Sequence, residues 1–247
     1  MNNPNSSGGP RTTVLITGAN KGLGLETARQ LAARGCAILL GARDPQLGRA
    51  AAAGLAADGA DVRFVQIDVT SDESVAAAAE WVAGEVGAID VLINNAGIIG
   101  GARVGALETG PSDFLDCFAT NLLGPVRVTR AFLPLLGKSS VPRIVMVSSG
   151  MGSMAVTTNP ARLESSIVSL VYPASKAALN MVTTQYAKAL PGWKVNAADP
   201  GYTATDLNGN SGHKTVEAGA AIIVDLALVD DDGPTGGFFD DAGPVPW

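Results

Sequence analysis

The stretch Thr13-Val14-Leu15-Ile16-Thr17-Gly18-Ala19-Asn20-Lys21-Gly22-Leu23-Gly24 passes from a short apolar run through a glycine turn into an Ala-rich segment of helical period. Glycines in such a turn let the backbone bend tightly, approach a pyrophosphate and pack helix on strand, while the helix N-terminus faces the negative charge. A glycine turn between strand and helix also has a purely structural reading. The spacing, with three residues between Gly18 and Gly22, departs from GxGxxG, and no Lys-Ser or Lys-Thr follows to complete a Walker A loop.

Outward from this turn, short apolar runs keep alternating with longer helical stretches. The runs predict strands at Thr13–Thr17, Ala37–Gly41, Val62–Ile67, Val91–Asn94, Arg143–Ser148, Lys194–Ala197 and Gly237–Phe239. Helices are predicted at Gly22–Arg34, Pro45–Ala57, Ser71–Val86, Ser112–Leu136, Tyr172–Leu190 and Thr215–Leu228, the third opened by a capping box of Thr70 and Glu73. The pattern is that of an α/β chain: one Rossmann-type domain over residues 12–247, with a doubly wound parallel sheet of about seven strands and helices on both faces. Residues 1–11, all Asn, Ser, Gly, Pro and other residues without an apolar stretch, read as a disordered tail, neither a secretory signal nor an anchor.

The 247 residues suffice for one large core. A formal net charge of -6 argues against a nucleic-acid partner, which would require a dense excess of Lys and Arg. The longest greasy segment, Ala218 to Val229, is interrupted by Asp225 and falls short of the about 20 residues a bilayer span takes. Cys36 and Cys117 form neither a CxxC pair nor a framework, so they read as reduced, packed thiols of a cytoplasmic protein.

At the end of the second predicted strand, where the adenosine ribose of a dinucleotide would lie, stand Ala42-Arg43-Asp44. A carboxylate at that strand end would accept from a ribose 2′-hydroxyl, whereas a guanidinium pairs with a 2′-phosphate. Arg43, together with Lys21 in the glycine turn, favours NADP(H) over NAD(H); the plainer reading makes them a solvated strand-end charge and an ordinary loop lysine. Asp68-Val69 ends the third strand, its carboxylate suited to an adenine amino group or to capping the next turn. Asn94-Asn95-Ala96-Gly97 follows the fourth strand, with small residues that let backbone approach a ligand and amides that tie strands together.

Tyr172-Pro173-Ala174-Ser175-Lys176 opens a helix, and the separation of four puts phenol and ammonium on one face. A free phenol, with a pKa of about 10, is a poor proton donor near neutrality, and a nearby cation is expected to lower it. Such a pair suits general acid catalysis toward a ketone oxygen, although a lone Tyr near a Lys is more often a packed ring with a snorkelling neighbour. The fifth strand ends Val147-Ser148-Ser149-Gly150, offering hydroxyls at the same crevice edge, where one can stabilise a developing alkoxide. A hydrolase triad has little support, since the one histidine, His213, lies in a loop and Ser149 is not in a GxSxG elbow; no metal centre is expected either. The loops Ile98–Gly110, Gly150–Val171 and Tyr202–Lys214 follow strands and are the substrate-pocket candidates, with Ile98, Ile99, Val104, Met151, Met154 and Tyr202 as apolar lining.

With these pieces in order, the sequence resembles the short-chain dehydrogenase/reductase family from about Thr13 to the C-terminus, through TGANKGLG, DVT, NNAG, the Asn121 region, VSSG, YPASK and PGYTAT. The resemblance implies that Tyr172 donates the proton, that Lys176 lowers its pKa and holds the nicotinamide ribose, and that Ser149 orients the substrate carbonyl. It implies that Asn121, otherwise a helix-kink residue, anchors a water in a proton relay to Lys176. Pro200, Gly201, Thr203 and Thr205 resemble the segment that cradles the nicotinamide. Gly18, Asn20, Lys21, Gly22, Leu23, Gly24, Arg43, Asp68, Val69, Asn95, Ala96 and Gly97 complete the expected cofactor site. Within the family, Asn20-Lys21 and Ala42-Arg43-Asp44 look most like carbonyl reductases that use NADPH. The gap from Ser149 to Tyr172 is longer than in short members, which suggests an inserted segment over the active site and over the helical face many relatives use to dimerise. Monomer and homo-oligomer both stay open. The expected activity is reduction of a small-molecule ketone or aldehyde; an alcohol dehydrogenase running the other way and a catalytically silent cofactor-binding regulator are the alternatives.

Overall fold

A computed structural model describes residues 11–100 and 105–247; nearly all of the expected N-terminal tail, and Val104 among the expected pocket residues, lie outside them. The strands β1 (Thr13–Ile16), β2 (Ala37–Ala42), β3 (Val62–Gln66), β4 (Val91–Asn94), β5 (Arg143–Val147), β6 (Lys194–Ala198), β7 (Phe238–Asp240) and β8 (Gly243–Pro244) form one sheet in the order β3-β2-β1-β4-β5-β6-β7-β8. All pairings are parallel up to β7, and β8 returns antiparallel, one short strand beyond the expected seven. The order reverses between β1 and β4, which opens a crevice at the carboxyl ends of these strands.

Successive strand residues face opposite sides, so each strand feeds two cores. Val14 and Ile16 of β1 pack with Ile38, Leu40, Val91, Ile93 and Ile223 on one face, while Leu15 joins Leu39, Leu92, Phe132, Ile144 and Leu179 on the other. Both layers are covered by helices: α1 (Gly22–Ala33), α2 (Pro45–Ala57), α3 (Asp72–Glu85), α4 (Leu115–Phe118), α5 (Gly124–Leu136), α6 (Met154–Thr157), α7 (Val171–Ala189) and α8 (Val216–Ala227). Among the described residues, no helix is long and apolar enough to cross a membrane.

Two local expectations are corrected. The cap of α3 is Ser71, not Thr70: the Asp68 carboxylate captures the Thr70 N–H and hydroxyl at 2.9 and 2.7 Å, leaving the Ser71 hydroxyl to accept from Ser74. The long helix expected over Ser112–Leu136 is broken into a 3-10 turn at Pro111–Phe114, α4, a π turn at Ala119–Leu123 and α5. Pro125 has no N–H to give the carbonyl four residues back, Asn121, so the α ladder cannot run through and a wider turn takes its place.

The segment between Ser149 and α7 is more ordered than a loop. Ser153 caps α6 through the Val156 N–H at 3.0 Å and donates to the Pro246 carbonyl at 2.6 Å, and Ala155 N–H reaches the Trp247 carbonyl at 3.2 Å. Phe238 and Trp247 stack beneath it, and Val156, Ala197, Phe238 and Val245 form a small third core. The first part of the insertion therefore docks on the C-terminal residues and the β7 edge.

Candidate active site

The glycine turn is shaped from both sides. Gly18 has φ +64, a conformation that side chains resist, and a Cβ on it would lie 2.9 Å from the Ala96 Cα. On Gly24 a Cβ would lie 2.5 Å from Asn95 Nδ2 and 2.6 Å from the Gly18 oxygen. Asn95 ties the turn down, its amide donating to the carbonyls of Thr17 and Gly18 at 2.8 and 3.1 Å, and the N–H groups of Asn95 and Ala96 both reach the Thr17 hydroxyl. The NNAG segment is thus the brace of the glycine turn.

Asp44, Ser71 and Thr215 cap α2, α3 and α8 with their side chains, but α1 begins at Gly22 with no side-chain cap and no acid in its first turn. Its first N–H groups and positive dipole end, flanked by half-buried Asn20 and Leu23, fit a pyrophosphate. Just beyond β2, Asp44 is turned into its own helix by bonds to Gln46 and Leu47 at 2.8 and 3.0 Å, which leaves Arg43 exposed at the strand tip. These residues fit a 2′-phosphate better than a bare ribose. Lys21 does not simply point at the same position: its Nζ pairs with Asp206 Oδ2 at 3.0 Å across the crevice, both groups mostly exposed. Asp68 serves its turn through Thr70 with one oxygen and feels the charge of Arg43, while Val69 is buried against Gly124.

Pro200 is buried and Gly201, at φ +70, turns the chain back over the crevice. Thr205 stands opposite the glycine turn, 3.8 Å from a Cβ built on Gly22. Thr203 points elsewhere: its hydroxyl donates to the Pro200 carbonyl at 2.9 Å and its side chain packs on Gly219 of α8. Its role is to hold the turn.

The catalytic candidates meet at the ends of β4 and β5. Gly97 is the meeting point, since a Cβ there would lie 3.4 Å from Asn121 Oδ1 and 3.7 Å from Lys176 Nζ. Asn121 is fully buried in the π turn, accepting from the Ile98 N–H at 2.9 Å while its amide donates to the Ile98 carbonyl at 2.8 Å and to the Ser175 hydroxyl at 3.0 Å. Lys176 is also buried and donates to the Val147 carbonyl at 2.7 Å. Its Nζ lies over the Tyr172 ring, 5.6 Å from the centroid. Ser149 caps the turn after β5 by accepting from Met151 at 3.2 Å, and its hydroxyl bears on the phenol.

The expectation that Lys176 depresses the phenol pKa is corrected. Burial dominates and pushes Tyr172 up to about 12, with the Ser149 hydroxyl pulling the other way; burial likewise pulls Lys176 down to about 8. A phenol so protected is fully protonated at neutral pH.

Three residues at this centre were not singled out from the sequence. Ser175, inside the YPASK motif, links Asn121 to the Tyr172 carbonyl at 2.7 Å. Cys117, read only as a packed thiol, accepts from Asn121 at 3.2 Å, and burial raises its pKa. Asp199, a buried acid between β6 and Pro200, was a signal open to notice in the sequence. Of the expected apolar lining, Ile98, Ile99, Met154 and Tyr202 are exposed and Met151 is half-buried, with Met154 at the start of α6, which docks on the C-terminal residues.

A family model described as short chain dehydrogenase matches residues 12–215. The (-)-isopiperitenone reductase of Mentha piperita is 34% identical, over 92% of this chain and 95% of that protein. Among solved structures, salutaridine reductase from Papaver somniferum superimposes with a TM-score of 0.81 at 29% identity, over 94% of this chain and 100% of the other. The NADPH-bound carbonyl reductase from chicken fatty liver gives 0.84 at 28% identity, over 96% and 100%.

Proposed function

The chain belongs to the short-chain dehydrogenase family, and we propose that it reduces a small-molecule ketone or aldehyde with Tyr172 as proton donor. It is an oxidoreductase acting on carbonyl and alcohol groups, and its cofactor is NADP(H). When bound, NADPH supplies the hydride. The protein's own residues supply the acid and the orientation. Tyr172 delivers the proton to the carbonyl oxygen, and the Ser149 hydroxyl beside it hydrogen-bonds the same oxygen as charge develops. Lys176, buried and cationic below about pH 8 with its Nζ over the Tyr172 ring, steadies the phenolate left once the proton has moved to the substrate.

The observation that carries this reading is the position of Gly97, against both Asn121 and Lys176 and one residue from the Ala96 that packs on Gly18. Phosphate turn and acid pair are thereby built on one sheet edge. Arg43 and the uncapped start of α1 hold the phosphates; Pro200, Gly201 and Thr205 face the nicotinamide side. The preference for NADP(H) favours the reductive direction over alcohol oxidation. The acidic balance, 23 Asp and Glu against 17 Lys and Arg, supports a small-molecule substrate without a nucleic-acid partner, and two buried free thiols support a reducing, cytoplasmic setting.

Absorbance loss of NADPH, and separately of NADH, against a panel of aryl ketones, aldehydes, diketones and quinones tests the reading. Turnover with NADPH well above NADH is expected. Tight NADPH binding with no turnover on any class would replace it with a silent cofactor-binding protein.

A further inference from the structure

Asp199 is a carboxylate that the chemistry above does not use, and it is 3% exposed at the end of β6. A buried carboxylate is costly unless hydrogen bonds satisfy it. Its Oδ1 accepts from the Gly201 N–H at 2.9 Å, and its own N–H donates to the Phe239 carbonyl at 2.7 Å. The second oxygen lies against the other loop of the crevice: a Cβ on Gly150 would stand 2.9 Å from Asp199 Oδ2 and 3.0 Å from Glu164 Oε1, and the Gly150 N–H faces the carboxylate. One side chain therefore touches both the turn that carries Ser149 and the turn that begins Pro200-Gly201.

We propose that Asp199 is a positioning residue whose two oxygens, one on each turn, fix the separation between Ser149 and the Pro200-Gly201 wall. This rests on the assignment of Ser149 and Tyr172 to the chemistry and of Pro200-Gly201 to the cofactor. Oδ1 takes the Gly201 N–H and Oδ2 stands against Gly150, so each turn meets an acceptor, a match that a carboxylate makes and that an amide makes only by half, because its nitrogen is a donor. Glycine at position 150 is part of the device, since a side chain there would strike both carboxylates. The charged neighbours are Glu164 and Arg162 from the insertion and Asp240 from β7; on α7, Tyr172 and Lys176 feel the Asp199 charge. Burial raises the Asp199 pKa, with the two facing N–H groups opposing.

The test is a titration of cofactor-free Asp199→Ala and Asp199→Asn with NADPH, followed by nicotinamide fluorescence, beside thermal melting and the pH profile of kcat/KM for a ketone that the wild type reduces. Loss of both contacts should weaken NADPH binding about tenfold in Asp199→Ala, and Asp199→Asn, which keeps one acceptor, should recover part of it. Without the Asp199 charge, the alkaline limb of kcat/KM should move to lower pH in both. A folded Asp199→Ala that binds NADPH as the wild type does, with an unmoved limb, overturns the proposal. If Asp199→Ala does not fold, the same two readouts on Asp199→Asn decide it: weaker binding with a lowered limb supports the proposal, and wild-type values for both overturn it. Full turnover by Tyr172→Phe would instead defeat the proton-donor reading and leave the NADPH titration to judge Asp199 alone.

Discussion

The Lys176 ammonium donates to the carbonyl oxygen of Val147 at 2.7 Å, two residues before Ser149, so the end of β5 holds the cation of the acid pair as well as its hydroxyl. Burial brings the ammonium from an ordinary 10.5 down to about 8. Between these values the unfolded chain binds more protons than the folded one, so stability rises as pH increases through that window. The full rise is on the order of 3 kcal/mol. Urea midpoints between about pH 8 and pH 10 should rise more in the wild type than in Lys176→Met, where the two buried thiols, Cys36 and Cys117, raised by burial, pull the other way. Above pH 10 the sign reverses, because Tyr172, pushed up to about 12, keeps its proton in the folded state after the unfolded chain has lost it.

Gly24→Ala should cost about 1 to 3 kcal/mol, since its Cβ meets the Asn95 amide at 2.5 Å and the Gly18 carbonyl at 2.6 Å. Displacing Asn95 also loosens the phosphate turn, so NADPH affinity should fall more than the loss of stability explains. Gly54→Ala is the control: it is exposed in α2 with nothing within 4 Å of its Cβ, and should add about 1 kcal/mol. Urea unfolding and NADPH titration of both variants check this.

Arg43→Ala should raise the KM for NADPH by about tenfold or more and leave that for NADH nearly unchanged. Asp206→Asn should do the opposite and tighten NADPH at low salt, because it releases Lys21 from an ion pair across the crevice. That pair is mostly exposed, so its loss should change folding stability by less than about 1 kcal/mol. Steady-state kinetics with both cofactors at two ionic strengths separate these effects.

Asn121→Ala leaves the N–H and carbonyl of the partly exposed Ile98 without the fully buried amide that clamps them. A loss of about 2 to 4 kcal/mol is expected. Faster hydrogen exchange at Ile98 would mark the same site, with turnover reduced in parallel.

The doubly wound fold was legible because its signals are local: apolar runs of strand length, helical period between them, and a glycine turn where strand meets helix. The motif residues were legible for the same reason, and Gly97, Asn121, Ser149, Tyr172 and Lys176 do converge. What escaped depends on contacts between distant segments. One miss was local instead: Asp68, two residues back, takes the Thr70 hydroxyl and passes the cap to Ser71, a turn-capping role the sequence already allowed it. The break of the helix around Asn121 had a local sign in Pro125, but the clamp on Ile98 did not. The phenol pKa depends on burial, which the spacing of Tyr172 and Lys176 does not encode. The docking of α6 on Pro246 and Trp247 joins residues about ninety positions apart in sequence.

The most direct test of Tyr172 as proton donor is single-turnover oxidation of bound NADPH by a ketone substrate in wild type and Tyr172→Phe, with NADPH affinity measured on both. Phenylalanine keeps the ring and removes the acid. Turnover should fall by about 10² to 10⁴ while affinity stays within about threefold. A variant that binds NADPH normally and reduces the ketone within about fivefold of the wild type would contradict the assignment.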